Sequence, residues 1–257
     1  MKYINIKKFQ NNKIISIDDP VVEEQAIEIY INRNIYISLM CLPQDILELA
    51  VGFLFSEGII HSYSDIDNIN IVDDVNVYVT TNEFSTSNVD NRIKTTGFAA
   101  SSVSRSLYSK NKLVVMESKR SVDASTVKEI SKSFNKKSQL FLDTGAVHSC
   151  ELILPNGDSI FYDDIGRHNA IDKIIGKALI SKLSVKDSLL MTSGRISSEM
   201  LLKVAKMEIP ILISTSAPTS LAIEIARELD MTLIGFARGD RFNLYSGNHR
   251  VIEDNTL

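Results

Sequence analysis

The sequence has only two cysteines, five prolines and no tryptophan in 257 residues. Cys41 and Cys150 are too few for a disulfide framework or for a four-cysteine zinc site. No apolar stretch is long enough to cross a bilayer, and residues 1–6 lack the apolar segment of a signal peptide. We therefore expect a cytoplasmic protein without a membrane span.

The chain also lacks an excess of positive charge, since its net charge is −4. Non-specific nucleic-acid binding needs a broad basic surface, so the composition predicts no nucleic-acid partner. It does not exclude one small polyanion, because a few well-placed guanidinium groups bind a phosphate. Such arginines are concentrated in the C-terminal half: Arg167, Arg195, Arg238, Arg241 and Arg250.

The pattern of apolar and turn residues divides the chain into three parts. Residues 1–85 are rich in predicted strands, with one helix at 43–57, and suggest a smaller N-terminal α/β domain. Residues 86–120 are irregular and rich in serine, threonine and asparagine, which is typical of a functional loop and linker. Residues 121–257 alternate strands and helices and form the third part.

The third part contains a succession of strand, helix, strand, helix and strand. Strands are predicted at 188–192, 211–214 and 231–236, with helices at 198–207 and 218–229 between them. Such a βαβαβ unit predicts an α/β fold with a mostly parallel sheet covered by helices. Ligands of such sheets bind beyond the carboxyl ends of the strands.

The first candidate site residues, Gly166, Arg167 and His168, begin a predicted helix at 168–183. A helix N-terminus exposes unsatisfied backbone N–H groups and carries partial positive charge. With a guanidinium and an imidazole beside it, this position suits a phosphate or carboxylate. The alternative is an ordinary junction in which Asn169 caps the helix and Arg167 is solvated.

Ser193, Gly194 and Arg195 follow a predicted strand and precede the next helix. A glycine lets the backbone approach a ligand closely, and an arginine can bind a phosphate through two hydrogen bonds. The alternative is a simple strand-to-helix turn with a serine cap.

His148 and Cys150 stand two residues apart and share one face of a predicted strand. A cysteine beside a histidine can form an activated thiolate. The alternative is a buried structural cysteine with a hydrogen-bonded histidine next to it.

The last segment follows the final predicted strand and carries two arginines around a glycine turn. The arginines could hold a phosphate or the edge of a planar base. The alternative is a surface turn in which arginine and aspartate pair with each other. Neither a P-loop nor a G-x-G-x-x-G fingerprint is present, so a phosphate site here is of another kind. The segment comprises Phe236, Ala237, Arg238, Gly239, Asp240 and Arg241.

Together these motifs resemble the formate dehydrogenase accessory (FdhD) family. The resemblance covers nearly the whole chain, and its most specific motif is DIGRHNAIDK. The matching segments are PQDILELAVGFLFSEG at 43–58, TGAVH at 144–148, DIGRHNAIDK at 164–173, SGR at 193–195, SAPT at 216–219 and GFAR at 235–238.

The resemblance implies a cytidine-deaminase-like α/β domain, a smaller N-terminal α/β domain and a cytoplasmic homodimer. It also implies a sulfur carrier. A cysteine desulfurase loads sulfur onto a loop cysteine as a persulfide, and the sulfur passes to the bis(molybdopterin guanine dinucleotide) molybdenum cofactor. That cofactor is then inserted into formate dehydrogenase. The resemblance also implies that residues 236–241 form the cofactor-binding segment and that a GDP-like nucleotide would mimic the cofactor.

One position departs from the family pattern. Phe98 stands where the family carries its persulfide cysteine, and residues 82–149 contain no cysteine. Either Cys150, with His148 to orient it or to supply a proton, or Cys41 replaces the missing thiol, or the protein is a cofactor-binding chaperone without sulfur transfer. A zinc deaminase is excluded because its H-x-E and P-C-x-x-C motifs are absent, so we expect no zinc.

Overall fold

The computed structural model describes residues 1–81 and 114–254, apart from the side chain of Asn135. The N-terminal half contains a separate antiparallel hairpin, a four-stranded sheet in the order β4-β3-β6-β5, and one α-helix. The elements are β1 (Lys2–Gln10), β2 (Lys13–Val21), β3 (Gln25–Ile31), β4 (Asn34–Cys41), α1 (Ile46–Ser56), β5 (Ile66–Val72) and β6 (Asn76–Thr81), with a 3-10 turn at Tyr63–Asp65.

The C-terminal half is built on a six-stranded sheet in the order β13-β12-β11-β10-β8-β9. A short parallel pair, β7 with β14, lies apart from it. The elements are β7 (Val122–Asp123), α2 (Ala124–Lys137), α3 (Gln139–Thr144), β8 (His148–Ile153), β9 (Ser159–Asp164), α4 (Arg167–Ile180), β10 (Leu189–Thr192), α5 (Ser198–Lys206), β11 (Ile211–Ser214), α6 (Ser220–Glu228), β12 (Thr232–Arg238), β13 (Arg241–Ser246) and β14 (Val251–Ile252), with a 3-10 turn at Asn248–Arg250.

The predicted α/β class and the βαβαβ unit are confirmed. Strands β10, β11 and β12 are parallel neighbours, connected through α5 and α6. The expectation of a mostly parallel sheet needs correction, because β8, β9 and β13 pair antiparallel to their neighbours. These outer strands are joined by hairpins or lie at the sheet edges, where no crossover helix enforces parallel pairing.

Helix α1 begins at Ile46, three residues later than predicted. Asp45 is its N-cap and has a left-handed backbone with φ +54°, so the helix cannot extend back to Pro43. The end of the helix agrees with the prediction, since Gly58 follows it with φ +76°. The predicted domain division at 1–85, 86–120 and 121–257 stays a prediction, because residues 82–113 lie outside the described residues.

Two apolar clusters form the core on opposite faces of the six-stranded sheet. Leu190, Leu212 and Leu233 belong to the larger cluster, which also contains α1 and the inner residues of β3 and β6. Their neighbours along the strands, such as Met191 and Ile213, face the smaller cluster beneath α2. The larger core is therefore shared by the two halves of the chain.

Helices α1 and α4 cross at the centre of the shared core with their backbones in contact. A methyl group on Gly52 would lie 1.8 Å from the carbonyl oxygen of Asp172, and one on Gly176 would lie 1.9 Å from that of Glu48. Only glycine permits this approach. The contact fixes α4, and thereby its N-terminus, against the N-terminal half.

None of the helices within 1–81 and 114–254 combines the length and apolar character that a membrane crossing requires.

Candidate anion-binding site

A cavity of about 520 Å³ opens at the edge of the sheet where β10, β11 and β12 end. Ser193 and Thr215 directly follow β10 and β11, and Arg238 is the last residue of β12. His148 enters from the start of the antiparallel neighbour β8. The cavity is lined by Phe141, Gly145, Ala146, Val147, His148, Ile165, Ser193, Thr215 and Arg238.

His148 is held at the cavity wall by the loop after β10. Its Nδ1 lies 3.1 Å from the hydroxyl oxygen of Ser193. The same hydroxyl oxygen accepts a hydrogen bond of 3.0 Å from the backbone N–H of Ser149. Burial, followed by the positive charges of Arg167 and Arg195, lowers the pKa of His148, while Asp164 opposes the shift. The imidazole is therefore neutral at physiological pH.

Arg167 and Arg195 place two positive charges beside His148. The stem of Arg167 covers Gly194, where an added methyl group would lie 2.8 Å from its Cβ and 2.9 Å from its Cδ. The Nε of Arg167 is buried and has no hydrogen-bond partner among the described residues. Burial and then Arg195 lower the pKa of Arg167, against the opposing charge of Glu199. Like charges held together in this way favour an anionic ligand.

Arg238 lines the same cavity as His148. Its Nε donates a 2.8 Å hydrogen bond to the carbonyl oxygen of Thr215, whose hydroxyl donates to the carbonyl oxygen of Ser193. This chain ties the loops after three neighbouring strands to one another.

The remaining residues of the predicted segment 236–241 lie around Arg238. Phe236 is partly exposed, with a left-handed φ of +51°, and its N–H donates to the carbonyl oxygen of Ser216. Ala237 is buried beneath α2. Gly239, with φ +60°, and Asp240 form the turn to Arg241.

Asp240 forms an ion pair with Lys132 of α2, so the alternative in which Asp240 pairs with a neighbouring arginine is wrong. Among the described residues, Asp240 and Arg241 do not line the cavity, whereas Arg238 does. The segment therefore contributes one side chain to the cavity, that of Arg238, and its turn lies outside the cavity.

Gly166 is the N-cap of α4 and has no side-chain cap. The alternative in which Asn169 caps this helix is wrong. The Asn169 amide instead donates to Asp164 and to the carbonyl oxygen of Met40, each at 2.9 Å. The Asp164 carboxylate accepts the N–H of Gly166, whereas no side chain of the described residues caps the N–H groups of the turn that follows, which begins at Arg167.

His168 lies near Arg167 and His148 and is mostly buried, with 22% of its side chain exposed. Burial, with the charges of Lys203 and Arg167, lowers the pKa of His168 to about 3. The Glu199 carboxylate is 3.7 Å from its Nε2, too far for a hydrogen bond, and does not offset the burial. His168 is therefore a neutral residue that supports the site from within.

Asp164 and Lys173 are residues whose role the motif alone did not reveal. They form an ion pair of 2.8 Å with both side chains fully buried. The carboxylate of Asp164 also accepts from the backbone N–H groups of Gly166 and Leu42. This cluster fixes the start of α4 and attaches it to the end of β4. Asp164 and Lys173 of the DIGRHNAIDK motif therefore position Arg167 of the same motif.

Both cysteines are buried. Cys150 is fully enclosed in β8, and burial raises the pKa of its thiol far above the ordinary range. Burial also raises the pKa of Cys41 to about 12. Neither thiol faces the cavity, although His148 and Cys150 share a strand face as predicted. Phe98 lies outside the described residues.

A larger cavity, of about 670 Å³, lies elsewhere, between residues 114–120 and the loops at Pro155 and Lys186. Its charged groups are partly neutralised, since Lys186 pairs with Glu208 at 2.6 Å. It contains none of the predicted site residues. Within residues 1–81 and 114–254, no group of three or more histidine, cysteine, aspartate or glutamate side chains is arranged to hold a metal ion.

Comparison with known proteins identifies the family of the chain. Residues 22–252 match the model of the FdhD/NarQ family. Proteins named "Sulfur carrier protein FdhD" are similar to the chain. That of Wolinella succinogenes is 34% identical over 98% of this chain and 89% of the relative. That of Listeria monocytogenes is 37% identical over 96% of this chain and 97% of the relative. That of Bacillus subtilis is 36% identical over 97% of this chain and 97% of the relative.

A solved structure, described as a formate dehydrogenase accessory protein from Desulfotalea psychrophila, is also similar. It superposes with a TM-score of 0.79 at 26% identity, covering 98% of this chain and 100% of that chain.

Proposed function

The chain belongs to the FdhD/NarQ family, and from this premise we propose that it is a cytoplasmic accessory protein of formate dehydrogenase. Its cargo is the bis(molybdopterin guanine dinucleotide) molybdenum cofactor. The protein binds this cofactor through the phosphates of a guanine nucleotide. The observation that supports this proposal is the positive charge around the His148 cavity: Arg238 lines the cavity, and Arg167 and Arg195 lie close enough to His148 to lower its pKa.

The residues present fit a nucleotide phosphate. Guanidinium groups bind phosphate oxygens through paired hydrogen bonds, and Arg167 has a buried Nε without a partner among the described residues. Gly194 leaves room for the Arg167 stem, and the uncapped start of α4 adds backbone N–H groups. A volume of about 520 Å³ is typical of a small-molecule site and suits one nucleotide end.

Sulfur carriage is the second candidate function. It is favoured by the relatives named sulfur carrier proteins, which are 34% to 37% identical to the chain. A persulfide needs a thiolate, and Cys41 and Cys150 are the only thiols in the sequence. Both are buried, so sulfur loading by a cysteine desulfurase would require one of them to become exposed. Delivery of the cofactor needs no thiol, and we favour it for this reason.

We also propose a homodimer. The β1–β2 hairpin supports it, because an isolated two-stranded hairpin is marginally stable in water and this one exposes apolar side chains on both faces.

Cofactor loading tests the proposed function. The protein is expressed in a host that makes the molybdenum cofactor, and co-purified guanine nucleotide and molybdenum are quantified by mass spectrometry. We expect Arg167→Ala/Arg195→Ala to lose at least about tenfold in loading, as two charge-assisted contacts are removed. Arg227→Ala, an exposed arginine on α6 far from the site, is the matched control and should load normally. Equal loading of the double variant and the parent protein would refute the proposal.

A second assay separates the two candidates. The protein is incubated with a cysteine desulfurase and cysteine, and its intact mass is measured. Cofactor delivery alone predicts no added sulfur. A gain of one sulfur atom that disappears in Cys150→Ala or Cys41→Ala would establish sulfur carriage and identify its thiol.

A further inference from the structure

The His148 ring presents its two nitrogens to different surroundings. Nδ1 faces the Ser193 hydroxyl at 3.1 Å, inside the wall of the cavity. His148 itself lines the cavity, so Nε2 is the ring nitrogen that remains for a ligand. No other side chain within 1–81 and 114–254 hydrogen-bonds to the ring.

The hydrogen bonds around Ser193 determine which nitrogen carries the proton. The backbone N–H of Ser149 can only donate, so it occupies a lone pair of the Ser193 oxygen. The hydroxyl hydrogen then needs an acceptor, and Nδ1 of His148 is the one within reach among the described residues. A neutral ring that accepts at Nδ1 carries its hydrogen on Nε2.

We propose that His148 is a ligand-binding residue of this cavity, oriented by Ser193 and Ser149 so that its Nε2–H donates to an anionic oxygen of a phosphate-bearing ligand. The inference rests on the proposed function and deepens it. Ser193 acts here as a positioning residue. His148 completes a set of donors whose other members are arginines, and it is the one member whose charge can change near neutral pH.

The charges that surround the ring predict how its protonation follows binding. Arg167 from α4 and Arg195 after β10 act on the ring through their positive charge, Arg238 from β12 lines the same cavity, and His168 is also near the ring. Asp164 from β9 is the opposing negative charge, and it is engaged by Lys173. A bound polyanion offsets the arginines, so protonation of the ring becomes more favourable. Binding should therefore take up a proton at His148, and affinity should rise as the pH falls.

The test needs a ligand that does not itself titrate. The terminal phosphate of GDP has a pKa of about 6, and its own titration would obscure that of His148. Diguanosine diphosphate, in which the pyrophosphate joins two nucleosides, lacks that ionisation and resembles the esterified phosphates of the proposed cargo. Its binding is measured by calorimetry between about pH 8 and about pH 5.5, in two buffers of different ionisation enthalpy, which report proton uptake.

We expect the dissociation constant of the parent protein to fall by about tenfold over this range, the worth of one hydrogen bond to a charged group, with proton uptake on binding. His148→Gln keeps an uncharged donor at a similar position. Because glutamine cannot be protonated in this range, the affinity of the variant should not change between about pH 8 and about pH 5.5. A His148→Gln variant that retains the full pH dependence would overturn the inference, as would parent binding that is independent of pH.

Nitrogen-15 NMR of the histidine rings in the parent protein provides a readout that does not depend on any variant folding. The chemical shifts of the two ring nitrogens should report the Nε2–H form in the parent protein at pH 8. In Ser193→Ala they should show a mixture of the two neutral forms. A parent ring that carries its hydrogen on Nδ1 would overturn the inference. Absence of dinucleotide binding at every pH would instead refute the proposed function itself, and the two failures are thus distinguishable.

Discussion

Asp164 and Lys173 form an ion pair with a separation of 2.8 Å and no exposed surface on either side chain. The pair lies at the start of α4, where Asp164 also accepts the backbone N–H of Leu42 from the other half of the chain. The same carboxylate therefore joins the helix that carries Arg167 to the four-stranded sheet. The geometry of the candidate site depends on this buried cluster.

Removing Lys173 should destabilise the protein strongly. In Lys173→Met the Asp164 carboxylate remains buried without its partner, and we expect a loss of about 3–5 kcal/mol in the free energy of unfolding. Urea denaturation measures the change. Lys186→Met is the matched control, since Lys186 forms an exposed pair with Glu208, and its denaturation midpoint should barely move. Similar midpoints for the two variants would contradict a structural role for the buried pair.

The contact between α1 and α4 predicts that alanine is not tolerated at Gly52 or Gly176. An added methyl group would overlap a backbone carbonyl in each case, so the helices must separate. We expect each substitution to destabilise the fold by about 3 kcal/mol or more, although alanine ordinarily favours a helix. Thermal unfolding followed by circular dichroism measures this, with Ser133→Ala on the exposed face of α2 as the control. Melting temperatures at or above that of the parent would show that the helices do not touch as described.

His168 predicts a loss of stability in acid. Its pKa is lowered from 6.5 to about 3 in the folded protein. The unfolded chain therefore binds a proton between these values and the folded chain does not. The stability that the neutral His168 ring contributes is fully present above about pH 6.5 and is lost as the pH falls toward 3. Between these two pKa values the free energy of unfolding decreases by about 1.4 kcal/mol per pH unit.

Denaturation of His168→Gln at about pH 7, 6 and 5 measures this contribution. The variant should lose less stability than the parent as the pH falls, whereas the exposed-residue control His249→Gln should follow the parent. Parallel stability curves for His168→Gln and the parent would contradict the neutral, buried state of His168.

The β1–β2 hairpin predicts how the proposed dimer can be disrupted. Phe9 and Ile14 pair across the hairpin and are each 70% exposed. Phe9→Ser/Ile14→Ser should convert a dimer into a monomer of unchanged fold, as measured by light scattering and circular dichroism. Ile35→Ser/Val72→Ser removes two exposed apolar side chains from the other hairpins and should leave the dimer intact. A dimer that persists in the Phe9/Ile14 variant would place the interface elsewhere.

Much of the fold could be predicted from local patterns, because those elements follow from local chemistry. The helix at Ala124–Lys137 has clear helical periodicity, and the strand at Ile211–Ser214 is a short apolar run that is buried at every position. Asp73 and Asp74 mark the turn between β5 and β6, although that turn also includes Val75. The β1–β2 hairpin carries a similar signal in Asn11 and Asn12, which both adopt the left-handed conformation of such turns. Strand β13 and the short helix α3 had no comparable signal.

The site was harder to predict, because its roles depend on contacts between distant residues. The ends of the parallel strands indicated Ser193, Thr215 and Arg238 correctly as neighbours, since topology brings strand ends together. The role of Asn169 could not be inferred, because its partner is the carbonyl oxygen of Met40, far away in sequence. Cavity residues such as Phe141 and Ile165 carry no chemical signature and become apparent only in three dimensions.

Calorimetric titration with GDP tests the central claim most directly, because that claim is a phosphate site built from the arginines of distant loops. The parent protein and the control Arg227→Ala should bind GDP with the same affinity. Arg167→Ala and Arg195→Ala should each weaken binding by at least about tenfold, the worth of one charge-assisted hydrogen bond. Unchanged GDP affinity in both arginine variants would contradict the account.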